Sequence, residues 1–138
     1  MKLDQITILL NSIAPLEQAA DWDNVGLLLE PKQTATIQRV LLTIDLTESV
    51  VKEAIDKKVN LIICYHPILF NPIQSLCISF PADRNILSLI QKKIALYSPH
   101  TAIDHVIGGV NDWLIDGCGI GEITLINPSK DQLSGAGR

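Results

Sequence analysis

The sequence predicts an α/β fold, in which a largely parallel or mixed sheet is flanked by helices in layers. Strand-like and helix-like patterns alternate along the chain, as they do in domains of this class. The run "LIICY" (residues 61–65) is apolar without alternation, which is typical of a strand covered on both faces, and "IALYS" (residues 94–98) predicts another strand. With 47% hydrophobic residues, the chain can bury a substantial core.

The first predicted element is an amphipathic helix. Leu3, Ile6, Leu10 and Ile13 recur at the spacing of one helical face, and Pro15 is expected to end the helix. The apolar run "VGLLLE" (residues 25–30) then predicts a strand. The run "RVLLTID" (residues 39–45), rich in branched side chains, predicts a second.

The second predicted helix begins after Thr47, whose hydroxyl suits an N-cap and is followed by an acidic residue in the first turn. Lys57 and Lys58 suit the negative end of its dipole. Its apolar residues, Val50, Val51, Ala54 and Ile55, form the stripe expected to be buried.

After the strand at 61–65, Asp83 is predicted to cap a third helix that ends near Lys92 and Lys93. The strand at 94–98 comes next, followed by a short helix that Gly117 terminates. The alternating segment "GEITLI" (residues 121–126) predicts a last strand. Ile86, Leu87 and Ile90 are expected to face inward on the third helix, and Val110, Trp113 and Leu114 indicate the short one.

Length and composition bound the kinds of protein this can be. At 138 residues we expect a single domain over residues 1–138. The net charge of −4 argues against direct nucleic-acid binding, and no apolar run has the length of a membrane span. The three cysteines, Cys64, Cys77 and Cys118, are too widely spaced for a zinc knuckle, and their odd number does not suit a disulfide framework. They predict reduced thiols, so we expect the protein in the cytoplasm, with the nucleus as a second location.

Three predicted strands end on polar residues. Asp45 follows the second strand, Tyr65 and His66 end the third, and His100 with Asp104 follows the fourth. Ligands of α/β sheets gather beyond the carboxyl ends of the strands, so neighbouring strands would bring these side chains to one rim. A mixed imidazole and carboxylate set suits zinc, iron or manganese better than calcium or magnesium.

Each of these residues also has an ordinary structural interpretation. A single histidine at a strand end is most often a surface residue, and Asp45 suits a turn. In "TAID" (residues 101–104), Thr101 and Asp104 match the pattern in which a capping threonine is answered by an acid three residues later. His105 has no partner in the pattern and is expected to be exposed.

The segment "DWDNVGLLLE" (residues 21–30) places three Asx residues around a tryptophan. We interpret Asp21 and Asp23 as part of a turn that enters a strand, in preference to a functional role. In this interpretation Trp22 fills the edge of the core.

Four segments, taken in order, resemble the Nif-three-like family, whose bacterial members are catalogued as type-two homologues of GTP cyclohydrolase I. They are "DWDNVGLLLE", "YHPILF", "YSPHTAIDHVIGGVNDWL" and the terminal "GAGR", so the resemblance covers nearly the whole chain. It implies an α/β fold, a toroidal and often hexameric assembly, and two divalent metals in each subunit. Eukaryotic relatives have been linked to transcriptional regulation through partner proteins.

The resemblance also assigns residues. His66 matches the second histidine of a paired-histidine metal motif, and Asp104 matches the metal-binding aspartate of the "HTxxD" motif, in which His100 is the histidine. Tyr65 stands where bacterial relatives have the first histidine of that pair, and eukaryotic relatives also carry a tyrosine there. A neutral phenol is a poor metal ligand. Relatives supply a further His and Glu from a C-terminal segment, so this chain is expected to be truncated before that segment and to hold an incomplete dinuclear site.

Two functional hypotheses follow. The first is a divalent-metal-binding protein with hydrolase-like chemistry on an unknown substrate, in which a metal held by His66, His100 and Asp104 activates water. The second is a non-catalytic interaction module that takes part in transcription regulation through a protein partner. Under either hypothesis we expect a homo-oligomer, because the apolar stretches "GLLLE" (residues 26–30) and "CISF" (residues 77–80) would otherwise lack cover.

Overall fold

The predicted α/β class is confirmed by the computed structural model, which describes residues 1–32, 36–128 and 135–136. A four-stranded mixed sheet has helices packed around it. The helices are α1 (Leu3–Ile13), α2 (Glu48–Asp56), α3 (Pro81–Lys92), α4 (His100–His105) and α5 (Val110–Asp116). The strands of this sheet are β1 (Gly26–Leu29), β2 (Val40–Thr43), β3 (Leu61–Cys64) and β4 (Ala95–Ser98).

The strand order of the sheet is β1-β4-β3-β2. Strands β2, β3 and β4 run parallel, and β1 pairs antiparallel with β4. Val40 lies beside Leu61, which in turn lies beside Ala95, so the three parallel strands start level and end at the same edge. This register brings the polar residues that follow each strand to one edge of the sheet.

The central strands β3 and β4 are covered on both faces, as the unbroken apolar pattern of residues 61–65 predicts for β3. Ile62 and Leu96 pack with the apolar side of α2 and α3, whereas Leu61 and Tyr97 pack with Leu3 of α1. All five side chains are buried. Burial of this kind is worth roughly 1.5–3 kcal/mol for each large apolar side chain, so the centre of the sheet is its most stable part.

The ends of the first two helices are as predicted. Helix α1 stops at Ile13, two residues before Pro15. The Thr47 side chain caps α2 by accepting a hydrogen bond from the backbone N–H of Val50 at 3.3 Å. Both ends follow from local chemistry. The backbone N–H groups in the first turn of α2 need an acceptor, which Thr47 supplies, and Pro15 cannot continue α1.

Two predictions about elements are wrong. Asp83 does not cap α3, because Pro81 opens the helix and Asp83 already lies in its first turn, where it accepts the Cys77 N–H at 2.8 Å. Residues 121–126 form no strand, because no described segment pairs with them. Instead Asn127–Pro128 (β5) pairs antiparallel with Gly135–Ala136 (β6).

Several apolar side chains are more exposed than their helical pattern suggests. On α5, Trp113 and Leu114 are exposed, and Ile90 of α3 is also exposed. The segment 26–29 is partly covered as strand β1, so the expectation that it lacks cover is wrong. In the "CISF" segment, by contrast, Ile78 and Phe80 are exposed. No helix in the described part of the chain is long and apolar enough to cross a membrane.

Candidate functional site at the carboxyl edge of the sheet

The histidines that end two neighbouring strands lie at one rim. Beyond β3 and β4, the ring centroids of His66 and His100 are 5.7 Å apart, and the Tyr65 ring is 5.0 Å from the first and 5.5 Å from the second. The Ser98 hydroxyl donates a 2.8 Å hydrogen bond to the Tyr65 carbonyl and so ties the two strand ends together. The three rings that follow β3 and β4 therefore form one cluster.

His66 is held by Asp45 from the neighbouring strand. Its Nδ1 lies 2.7 Å from Asp45 Oδ1, and both side chains are at least half exposed. The parallel ladder continues past the strand ends, since the Tyr65 N–H donates to Thr43 O at 2.9 Å and the His66 N–H donates to Ile44 O at 3.0 Å. Backbone pairing thus sets the position of the imidazole, and Asp45 orients its ring.

His100 is held in the same way by a different carboxylate. Its Nδ1 lies 2.8 Å from Asp23 Oδ1, and the Asp23 side chain has no exposed surface. His100 has a positive φ of 30°, a conformation that costs about 1 kcal/mol or more in a residue with a side chain. The contact with Asp23 helps to hold this strained residue at the start of α4.

Asp23 also anchors helix α4. Its Oδ2 accepts the Thr101 N–H at 3.1 Å and a short hydrogen bond from the Thr101 hydroxyl, and its Oδ1 accepts the Asn24 N–H at 2.7 Å. Burial acts to raise the pKa of Asp23, but the hydrogen bonds from Thr101, His100 and Asn24 outweigh it and lower the pKa. The carboxylate is therefore ionised at neutral pH, and it makes His100 Nδ1 the donor.

Asp104 accepts a 2.6 Å hydrogen bond from the Tyr65 hydroxyl. The pKa of Tyr65 is raised by burial first, then by this hydrogen bond and by the charges of Asp104 and Asp23, so the phenol stays protonated. The capping interpretation of Asp104 is wrong, because the acid that receives the Thr101 N–H is Asp23. Asp104 instead presents its carboxylate to the ring cluster.

Cys64 lies directly beneath the rim. Its buried thiol is 3.1 Å from the His66 carbonyl and 3.3 Å from the Ile44 carbonyl, and it donates toward them. Burial, followed by the negative charge of Asp45, raises the pKa of Cys64 to about 11. The thiol is thus a protonated structural donor at the ends of β2 and β3.

Sequence reasoning underestimated the segment 21–24. The turn interpretation of Asp23 missed its contacts with α4, and the expected core role of Trp22 is wrong, because its side chain is 65% exposed. The cluster of Asx residues around a tryptophan was the available signal. His105, expected to be exposed and without a partner, is partly buried, and its Nδ1 lies 2.6 Å from Gln18 O.

Fold and site together define an α/β domain with a histidine–carboxylate rim at the carboxyl ends of its parallel strands. Comparison with known proteins places the chain in a family: it belongs to DUF34/NIF3 (NGG1p interacting factor 3), which it matches over residues 1–138. The resemblance drawn from the sequence segments is thereby confirmed.

Individual relatives agree with this assignment. The chain is 45% identical to NIF3-like protein 1 of Drosophila melanogaster over 136 residues, covering 99% of this chain and 47% of the relative. It is 37% identical to NGG1-interacting factor 3 of Saccharomyces cerevisiae, covering 99% of this chain and 53% of that protein. A Bacillus cereus protein related to NIF3 shares its structure with a TM-score of 0.84 at 32% identity, over 94% of this chain and 35% of that one. The chain thus spans about half of these relatives, or less.

Proposed function

We propose that the rim binds a divalent metal of the zinc, iron or manganese type, with His66, His100 and Asp104 as its ligands, and that the domain serves metal-dependent hydrolysis. The observation that carries the proposal is the pairing of each imidazole with its own carboxylate, Asp45 or Asp23. Histidines that ligate metals nearly always donate their other ring nitrogen to such a partner.

Imidazole nitrogens and a carboxylate oxygen are donor types that suit such an ion. The three proposed ligands are fewer than the four of a closed structural zinc site. With Nδ1 of His66 and His100 taken by carboxylates, Nε2 of each ring is left without a hydrogen bond among the described residues. Within residues 1–32, 36–128 and 135–136, no three His, Cys, Asp or Glu side chains are grouped so that they could hold a metal ion, and this includes His66, His100 and Asp104 as they stand. We therefore propose an open, weakly binding site, whose completion calls for further ligands.

The protein's own groups have definite tasks in this scheme. Asp45 and Asp23 fix the tautomer of the two histidines, and Tyr65 keeps one Asp104 oxygen occupied as a neutral donor. A divalent ion, when bound, would supply a water molecule of lowered pKa as the nucleophile.

Calorimetric titration with Zn²⁺ and with Mn²⁺ tests the proposal. We expect weak binding that His66→Ala reduces at least tenfold, because an imidazole ligand is removed. His105→Ala is the matched control, since His105 is the third histidine of the chain and bonds the Gln18 carbonyl away from this cluster. Equal affinity of His66→Ala and the unmodified chain would contradict the proposal.

The second candidate is a non-catalytic interaction module. Strand β2 lies at the edge of the sheet and exposes Val40 and Leu42 by 45% and 74%, and Ile44, which directly follows the strand, is 64% exposed. These three side chains form an apolar strip. An exposed apolar edge strand readily takes a protein partner. The yeast relative is named for its interaction with NGG1, so we propose a regulatory protein partner of that kind, and a location in the cytoplasm and nucleus.

Binding of purified NGG1, measured by biolayer interferometry, tests this candidate. Leu42→Asp should weaken binding at least tenfold, because it places a charge in the centre of the apolar strip. Ile120→Asp is the control, since Ile120 is fully exposed outside the strip. Binding that survives Leu42→Asp unchanged would exclude this strip as the docking surface.

A further inference from the structure

The two edges of the main sheet are protected differently. At one edge, the pairing of β1 with β4 shifts register between Leu27 and Leu29, and such an irregularity discourages a further strand from adding there. At the other edge, β2 pairs in regular register with β3 from Val40 to Thr43, and it contains neither proline nor a charged residue. Among the described residues, none pairs with its free side. Strand β2 is therefore an open template for another strand.

The backbone of β2 presents hydrogen-bonding groups to this free side. The Thr43 carbonyl accepts the Tyr65 N–H at 2.9 Å, so Thr43 directs its backbone groups toward β3. Successive residues of a strand direct these groups to opposite edges. Leu42 therefore directs its N–H and C=O outward, as does Val40 two residues earlier. Solvent or another strand must supply the partners of these groups.

The side chains of this stretch, "RVLLTID", suit a second copy of the same stretch. In an antiparallel pair with a two-fold axis at Leu42, each residue faces the one at equal distance on the other side of the axis. Leu42 then faces its own equivalent, and Val40 faces Ile44 of the second copy. At the two ends, Arg39 of each copy faces Asp45 of the other. Apolar pairs and opposite-charge pairs of this kind stabilise antiparallel strands.

The two charged residues are accessible for such a contact. Arg39 is exposed, and only its Nη1 is engaged, as donor to the Lys57 carbonyl at 2.6 Å. The Asp45 side chain is 64% exposed and faces His66 through Oδ1, so Oδ2 can accept from a guanidinium. Arg39 and Asp45 are an even number of residues apart, so their side chains lie on the same face of the sheet.

Other registers lack the charge pairing. Because alternate residues of β2 direct their backbone groups outward, two such edges can pair only in steps of two residues. A shift of one step places Arg39 opposite Thr43 or Thr47 of the second copy, and neither residue is charged. The register centred on Leu42 therefore combines outward-directed backbone groups, apolar contacts and opposite charges.

We propose that the free edge of β2 is an interface between two copies of this chain, which pair antiparallel about Leu42 and are held in register by Arg39–Asp45 ion pairs. The product is one continuous sheet with four strands from each copy. This pairing rests on neither function proposed above. It covers the apolar strip, so a paired copy cannot offer the strip to another protein.

Charge reversal, measured by sedimentation at micromolar concentration, tests the pairing. Arg39→Asp and Asp45→Arg each set like charges opposite one another at both ends of the paired strands. Each variant alone should therefore raise the dissociation constant of the dimer at least tenfold. An equimolar mixture of the two variants restores opposite charges at both ends, and it should form a mixed dimer with a dissociation constant within threefold of the unmodified one.

The matched control for charge reversal is Lys52→Asp, which should leave the dissociation constant unchanged. Lys52 lines the cleft between α2 and α3, so it faces away from the free edge of β2. A monomeric unmodified chain would overturn the proposal. So would a mixture that associates no better than either variant alone.

Disulfide cross-linking tests the register. In a chain with Cys77→Ser and Cys118→Ser, which removes the two exposed thiols, Leu42→Cys brings two thiols together across the two-fold axis. Directly opposed residues have Cα atoms about 5.5 Å apart, a distance that a disulfide spans. Val40→Cys in the same background is the control, because its two equivalents lie roughly 13 Å apart along the strands. Oxidation should cross-link only the Leu42→Cys chain. Cross-linking at Val40, or at neither position, would refute pairing about Leu42.

Failure of self-pairing and failure of partner docking can be told apart, because sedimentation of the chain alone involves no second protein. A monomer that binds NGG1 in a manner sensitive to Leu42→Asp would refute self-pairing and uphold the docking candidate. A dimer that obeys the charge-reversal pattern but does not bind NGG1 would uphold self-pairing and refute the docking candidate.

Discussion

Replacement of Asp23 by asparagine should destabilise the domain through hydrogen bonding alone, because the two side chains have nearly the same shape. Asp23 Oδ2 receives the Thr101 N–H, and Oδ1 receives the Asn24 N–H, at 3.1 and 2.7 Å. Whichever oxygen the amide group replaces, it meets a backbone N–H that can only donate. The variant must therefore lose at least one hydrogen bond to a charged acceptor.

The magnitude follows from the burial of this group. Hydrogen bonds to charged groups are worth roughly 1.5–3 kcal/mol, and a buried donor left without an acceptor costs a similar amount. Because the Asp23 side chain has no exposed surface, solvent cannot replace the lost acceptor. We expect Asp23→Asn to lower the free energy of unfolding by about 2–3 kcal/mol.

Urea denaturation at neutral pH measures this loss. Asp21→Asn is the matched control, because it makes the same chemical change at an exposed position two residues earlier and should change stability by less than about 0.5 kcal/mol. An equal, small effect of both replacements would refute the hydrogen-bond account of Asp23.

The pH dependence gives an independent check. The pKa of Asp23 is lowered in the folded protein, so its stabilising effect is present above the unfolded-state pKa of about 3.9 and is lost as the pH falls through the lower folded value. The difference between the unmodified chain and Asp23→Asn should therefore shrink below about pH 4. A difference that stays constant down to the lowest pH at which the chain folds would show that the ionised carboxylate is not its source.

Four further predictions use other parts of the molecule. His66→Ala should change the unfolding free energy by less than about 1 kcal/mol in urea denaturation, because the His66 side chain is half exposed. Elemental analysis should find the unmodified 138-residue chain mostly metal-free. Two tightly bound ions per chain would contradict the proposed open site. Gly109→Ala should lower the midpoint of thermal unfolding by several degrees, since a Cβ there would lie 2.0 Å from Ile103 O, whereas Gly121→Ala meets open space and serves as the control. Light scattering at micromolar concentration should show a dimer or larger species, because the exposed apolar β2 edge favours association; a constant monomer mass near 15.1 kDa over a tenfold dilution would refute this.

Local patterns in the sequence determined most of the secondary structure and the fold class. The 3.6-residue spacing around Leu3, the hydroxyl of Thr47 and the apolar run at 61–65 each act within a few residues, so each can be read without knowing the rest of the fold. The same reasoning failed at residues 121–126, because a strand requires a neighbour, and apolar alternation in one segment carries no information about whether a neighbour exists.

The residue types of the candidate site were also visible in the sequence, since polar residues after buried strands belong at the carboxyl edge of an α/β sheet. Which acid holds which histidine was not visible. Asp23 and His100 are 77 residues apart, and His66 and Asp45 are 21 apart. The order β1-β4-β3-β2 brings each pair together, and that order depends on how the whole chain packs its strands and helices around one core. Tertiary structure therefore decided the partners, because a side-chain hydrogen bond needs atoms within about 3 Å, and only the folded chain sets distances between residues so far apart in sequence.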